Sequence, residues 1–562
     1  MISKLWRNYN RYLKVSGKYS YLAITFGIIG ATLETISIYL LANLITKIEN
    51  QAISSGIITL NNFNFSRETY IFLFIFIALL SAIFYYFSNK NIVKAKCFIE
   101  RFVREEITDI TLNIKWEYYL KLSQGDISKS IISEGQNISE GYMYFLQSLN
   151  YSVIALIYFF ICLFLVPDTF IILLIYAFLA FRIYIHYSNK AAKYGNNLSK
   201  ITSSIGNWTS SIFNNLKYIR TISKDKLAKK ESKKIFLKFS ESYFNAMVAS
   251  YKSKLITEIL SVIFIFLSII YIVFNNSRAS NLILSLSLFL RMAPKVYNAQ
   301  TRLLDAIALI SWPKLHIKKI NWAKKYKEEI KNIKSDFIFN GNIIFDSVCF
   351  NYPDSESLFN NLNLIINQND SIGIMGNSGS GKSTFVDLLS GIIRPKKGNI
   401  YISGENLSYL NMYEWKEQFG IVMQDNFFKN DTLIANIALG EKFINEDLVR
   451  DCLIKANAWE FVQNLPRNMY ENIYDNGMRF SGGERKKIAL ARALYINPKV
   501  LVLDEPSSGL DEKSEKDFIR VIKTLIGKMI IIIISHKKEV VQICDKVLIL
   551  ENKKLININE KI

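Results

Sequence analysis

The run Gly376, Asn377, Ser378, Gly379, Ser380, Gly381, Lys382, Ser383, Thr384 has the spacing GxxxxGK[ST]. It follows the apolar run SIGIM and opens the helix-periodic run FVDLLSGII, the strand–loop–helix setting that this pattern needs. Glycines let consecutive backbone N–H groups curl around phosphate oxygens, and a helix N-terminus adds favourable potential for an anion. Lys382 places a cation between the outer phosphates, and the Ser383 hydroxyl can ligate Mg2+. The chemistry indicated is nucleotide phosphate binding.

Two further constellations lie downstream. The run KVLVLDEP ends an apolar strand on Asp504 and Glu505. A carboxylate at a strand's C-terminal edge can hold Mg2+, directly or through water, and its neighbour can polarise an attacking water. Ser481, Gly482 and Gly483 precede the helical run RKKIALARAL, a second helix start suited to an anion. Two phosphate-type caps for one expected nucleotide suggest sites that face each other across a dimer.

The elements that must carry these groups are short β-type runs alternating with helical ones from about Phe337: IIFDSVCF, SIGIMG, GIVMQ, KVLVLDE, MIIIIIS and KVLIL. They read as an α/β domain over 337–562 with a largely parallel core, preceded by a charged linker over 313–336.

The first half is different. Its six apolar stretches are Tyr21–Ile45, Tyr70–Phe87, Gly141–Val166, Thr169 to about His186, Ile259–Phe274, and one from Leu282 past Arg291. Each approaches the ~20 residues that cross the hydrocarbon core as a helix. Residues 1–320 hold 37 basic and 17 acidic residues, whereas 321–562 hold 32 and 31. A basic chain invites a nucleic-acid reading, but these charges flank apolar runs, so the positive-inside rule explains them better and no nucleic-acid partner is expected. The connectors 88–140 and 187–258 are long and charged, and helical periodicity carries them away from the bilayer. Pro167-Asp168 and Asn275–Asn281 are tight turns on the opposite side. Both termini and both long connectors are therefore expected inside. The segment 1–20 reads as cytoplasmic, without a signal-peptide cleavage pattern. The turn signal Ser123-Gln124-Gly125-Asp126 follows an amphipathic stretch near Lys115–Leu122, and a second such stretch is Ile212–Ile222. Five scattered cysteines without a CxxC pair argue against a disulfide framework or zinc site.

The order of these motifs resembles the ATP-binding cassette (ABC) exporters, and the resemblance covers essentially the whole chain. It implies an all-α membrane domain of six helices with long cytosolic helical extensions over 21–312, followed by an α/β P-loop ATPase. By the same resemblance Tyr352 in FNYP stacks on adenine, and Gln424 in IVMQD touches Mg2+. Ser481–Gly483 contact the γ-phosphate bound by a partner copy, and Glu505 is the catalytic base. Ser508-Gly-Leu-Asp511 forms the D-loop, and His536 is the switch histidine. Residues 115–122 and 212–222 become coupling helices. FSGGE stands where LSGGQ is usual, PSSGLD where ATSALD is frequent, and Asp475 where a glutamate often precedes the signature. None of these departures removes a catalytic group.

One phosphate loop and no internal repeat make the chain half a transporter, expected to pair with itself or a paralogue. The expected cofactors are ATP and Mg2+, and the expected location is the cytoplasmic (inner) membrane. ATP-driven export or flipping of an amphipathic substrate follows. Arg182, Arg291, Lys295 and Arg302 would line a basic cavity for a phosphate-bearing lipid, or would pair with Glu34 and Asp305. Segments of spans one and six resemble lipid-linked oligosaccharide flippases. Export of a small bacteriocin-type peptide or of drugs is the alternative. A soluble DNA-repair-type ATPase is the contrast that six apolar spans oppose.

Overall fold

The computed structural model describes residues 2–50, 57–60, 63–122, 127, 130–165, 170–274, 279–328, 339, 341–377, 379–474, 477, 479–551 and 554–557. Ser378, Asp475, Ser123–Asp126, Pro167-Asp168, residues 275–278 and the last part of the charged linker, 329–336, lie outside them. The chain forms two compact units, one of residues 1–114 and 121–327, the other of 115–120 and 328–562.

The first unit is helical. Its helices are α1 (Ile2–Val15), α2 (Gly17–Asn50), α3 (Arg67–Leu112), α5 (Gly135–Leu165), α6 (Phe170–Asn214), α7 (Leu216–Thr221), α8 (Asp225–Phe274), α9 (Ala279–Ala308) and α10 (Ser311–Lys325); α4 (Trp116–Tyr119) belongs to the second unit. The described residues of all six apolar stretches fall in long helices. Among the described residues four segments, Gly17–Leu41, Glu68–Leu112, Ser130–Cys162 and Asp225–Tyr271, are long and apolar enough to cross a membrane. Arg182 lies in α6, and Arg291, Pro294 and Lys295 lie in α9. Along α3 the side chains of Phe72 (69%), Phe76 (53%), Leu79 (62%) and Ile83 (51%) are exposed. Such a skin is unfavourable in water and is what lipid solvates.

Helices α2 and α3 pack together, as do α5 with α9 and α6 with α8. Tyr9, Tyr12, Tyr142 and Phe145 form a buried aromatic core, and the Ser16 and Ser20 hydroxyls each lie 2.7 Å from the Tyr142 hydroxyl. The charged groups inside the spans are mostly paired. Glu34 accepts from Tyr158 (2.5 Å), Arg291 (2.6 Å) and Tyr85 (2.7 Å). Lys295 sits 4.6 Å over the Tyr85 ring, and Arg302 lies 3.5 Å from Asp305. The pairing expected as one of two readings is thus realised for Arg291 and Arg302.

The charged segment read as a linker begins as helix α10. Its Trp312, His316, Ile320 and Ala323 recur at helical spacing and are buried. His316 Nε2 lies 3.3 Å from Glu106, and Lys319 pairs with Glu134. The two amphipathic stretches expected at 115–122 and 212–222 contain the short helices α4 and α7, neither of which buries a side chain.

The second unit is α/β. Its longer strands are β1 (Ile343–Phe350), β2 (Phe359–Ile366), β3 (Ser371–Gly376), β4 (Lys397–Ile402), β5 (Phe419–Val422), β6 (Val500–Asp504), β7 (Ile530–Ile534), β8 (Lys546–Glu551) and β9 (Lys554–Asn557). A six-stranded sheet runs β9-β8-β3-β7-β6-β5, parallel except for β9. Its central strands are unbroken apolar runs because both faces are covered, and all five isoleucines of β7 are buried. A separate antiparallel sheet contains β2, β1 and β4 in that order. The run IIFDSVCF therefore belongs to this sheet and not to the parallel core. Three helices matter for the site: α11 (Lys382–Leu389), α12 (Gly482–Tyr495) and α13 (Glu512–Leu525).

Candidate nucleotide site

Parallel β3, β7 and β6 end on the same edge of the sheet, so the loops that follow them converge. The loop after β3 runs into α11. Gly379 (φ 78°) and Gly381 (φ 107°) adopt a backbone that side chains resist, and a Cβ on Gly381 would stand 2.7 Å from Leu358. Lys382 folds back over this loop and donates to the carbonyls of Gly376 (2.7 Å) and Asn377 (3.0 Å).

A cavity of about 640 Å3 gathers Tyr352, Gly379, Gly381, Lys382, Ser383, Thr384, Gln424, Asp504, Glu505 and His536, with Ser507, Ser508, Lys537 and Leu358. Five strand ends and loops thereby bring together nearly every group expected at the phosphates. The Tyr352 hydroxyl lies 3.3 Å from Thr384 Oγ1, and its ring meets Phe350 edge-on at 5.1 Å. His536 Nε2 is 3.3 Å from Glu505 Oε1, without hydrogen-bond geometry, and that buried oxygen has no hydrogen-bond partner among the described residues. The Ser380 and Ser507 hydroxyls are buried and unpartnered in the same sense.

Burial lowers the Lys382 ammonium below its usual pKa, against the attraction of Glu505 and Asp504. Burial, helped by the Glu505 charge, raises the Asp504 carboxyl, and Lys382 and Lys486 oppose it. The site thus holds charges that desolvation disfavours and unanswered polar atoms, the pattern expected of a place for a polar ligand. A phosphate–Mg2+ group fits it. The backbone cradle and Lys382 suit phosphate oxygens, and Ser383, Gln424 and Asp504 offer the hard oxygen donors that Mg2+ takes.

Ser481, Gly482, Gly483 and Asp511 do not line this cavity. Ser481 caps α12 in a reciprocal box, accepting from the Glu484 N–H (3.3 Å) while Glu484 accepts from the Ser481 N–H (2.8 Å). The glutamate of FSGGE thus locks this helix start. Asp511 caps α13, accepting from the Ser514 N–H at 3.1 Å. A second cavity of about 460 Å3 lies beside the α12 start and includes Gln424, Gly482, Arg485, Lys486 and Ser508.

Sequence reasoning missed Asp387 and Lys486. Asp387 follows Thr384 by one helical turn, and the Tyr352 hydroxyl acts on its carboxyl; the i, i+3 spacing was the available signal. Lys486 reaches the Glu505 backbone across the fold, and no local pattern announces that contact.

Residues 359–508 match the ABC transporter family. The chain is 36% identical over 218 residues to the alpha-hemolysin translocation ATP-binding protein HlyB of Escherichia coli O6:H1, covering 39% of this chain and 31% of that protein. It is 36% identical over 218 residues to the protein of the same name from Proteus vulgaris, again 39% and 31%. The ATP-dependent lipid A-core flippase of Saccharophagus degradans is 33% identical over 216 residues, covering 38% of this chain and 37% of that protein. The chain thus spans about a third of the length of the curated relatives it matches.

Proposed function

We propose that this chain, an ABC exporter subunit in which apolar helices precede an ABC transporter ATPase domain, uses ATP hydrolysis to move an amphipathic substrate outward across the cytoplasmic membrane, paired with a second copy of itself. The observation that carries this reading is the single cavity joining Lys382, Ser383, Gln424, Asp504, Glu505 and His536, in a chain whose other unit has a lipid-suited surface.

The loop N–H groups and Lys382 hold the outer phosphates. Tyr352 supports the base. Glu505 takes a proton from the attacking water, through the oxygen that has no hydrogen-bond partner among the described residues. His536 beside it holds the γ-phosphate side of the site. Mg2+ bound with ATP supplies charge neutralisation at the phosphates, with Ser383, Gln424 and Asp504 as its protein donors. The α12 start, with Ser481–Gly483 outside the cavity of its own copy, serves the nucleotide of the partner copy. Closing two ATPase units over shared nucleotide biases the helices between inward- and outward-facing states, with α4 and α7 as the coupling segments.

For the substrate we favour a phosphate-bearing or otherwise acidic lipid, supported by Arg291 and Lys295 one turn apart in α9 and by the likeness to a lipid A-core flippase. A polypeptide is the second reading, favoured by the likeness to a hemolysin translocation protein. ATPase stimulation of the protein in liposomes separates them. Pyrophosphate-linked or acidic lipids are expected to stimulate turnover, and stimulation by peptides alone would overturn the lipid reading.

A further inference from the structure

Glu505 occupies an unfavourable backbone state. Its φ is 50°, the left-handed region that a residue bearing a Cβ enters at a cost of order 1 kcal/mol. Such a state persists only where its surroundings hold it. Three backbone contacts do so. The Glu505 N–H donates to the Ile534 carbonyl at 2.9 Å, and the Glu505 carbonyl accepts from the Ser508 N–H at 3.2 Å. The same carbonyl accepts from Lys486 Nζ at 2.6 Å. Lys486 is only 5% exposed. A buried ammonium is expensive to keep merely for packing, and this one comes from the second turn of α12, the helix that starts at Ser481.

We propose that Lys486 is a positioning residue for the hydrolytic carboxylate, tethering the Glu505 backbone to the signature helix so that its side chain faces the cavity. This inference rests on the assignment of Glu505 as base. Its charge-assisted bond fixes the peptide that follows Glu505, and with it the direction in which the carboxylate points. The tether also links two half-sites within one copy. The helix that would meet the partner's nucleotide and the carboxylate that would activate water at the chain's own are joined by one side chain. Lys486 does not line the cavity that gathers Lys382, Asp504 and Glu505, so affinity for the chain's own nucleotide should not depend on it.

The test uses the full chain in lipid, with steady-state ATPase kinetics and fluorescent-nucleotide binding. Lys486→Met keeps the stem and removes the donor. It is expected to lower kcat ~10-fold or more while KM and nucleotide affinity change less than ~2-fold. Lys486→Gln, which restores a donor, should recover most of the rate. Glu505→Gln serves as the reference. If it is inactive and Lys486→Met turns over at the wild-type rate, the tether is refuted. If Lys486→Met loses nucleotide binding in step with rate, or Gln fails to rescue, the residue is structural and the proposal falls. If Glu505→Gln remains active, the base assignment fails, separately from the tether.

Discussion

The two units treat their charges in opposite ways. In the helical unit Glu34 is saturated by Tyr85, Tyr158 and Arg291, and Arg302 rests against Asp305. In the α/β unit the polar atoms converge on a cavity, and Glu505 Oε1, Ser380 Oγ and Ser507 Oγ have no hydrogen-bond partner among the described residues. Both arrangements place charge in low-dielectric surroundings. A closed network satisfies its own members and stabilises structure. An open one is completed by something that arrives.

That contrast can be broken most forcefully at Lys382. Lys382→Ala removes the cation from the phosphate cradle, and the Kd for ATP should rise ~100-fold with little change in unfolding temperature. A large loss of stability with retained ATP binding would place Lys382 in the closed class. The reciprocal experiment is Glu34→Ala. It leaves Arg291 without its partner and two tyrosine hydroxyls unanswered, so unfolding in lipid or detergent should become easier by ~2–3 kcal/mol. Unchanged stability with altered substrate stimulation would move Glu34 to the open class.

Asp387 sharpens the comparison at its boundary. Burial, with the Asp504 charge adding to it, pushes its carboxyl up to about 6, against the Tyr352 hydroxyl. The unfolded value is about 3.9. The fold therefore favours the protonated form. Stability from this group is present below about pH 4 and is lost as pH rises through about 6, at a cost of at most ~3 kcal/mol. The side chain is partly exposed, so Asp387→Asn should stabilise the protein by ~1–2 kcal/mol at pH 8. That gain should shrink by about half at pH 5, as followed by thermal unfolding at the two pH values. An advantage independent of pH would remove the burial argument.

How much of this was legible depended on whether the cause was local. The strands β6, β7 and β8 announced themselves because parallel strands covered on both faces carry near-continuous Val, Ile and Leu, and β3 because its apolar run leads into the phosphate loop. The phosphate loop was legible because its glycines answer a backbone requirement at Gly379 and Gly381. Strand β2, FNNLNLII, escaped because its asparagines mask the pattern and an antiparallel partner holds it. Helix α10 escaped because its lysines dominate the composition while Trp312, His316 and Ile320 form the buried stripe. The Lys486–Glu505 contact bridges 19 residues through tertiary structure alone. The convergence of Tyr352, Gln424 and His536 with the phosphate loop came from family resemblance, since nothing in their spacing reports it.

The central claim is that Glu505 performs hydrolysis in a site built for ATP. The most direct measurement compares ATP turnover and ATP binding for wild type and Glu505→Gln in lipid. The account expects binding to survive and turnover to fall at least ~100-fold. Hydrolysis at the normal rate by the variant would contradict it.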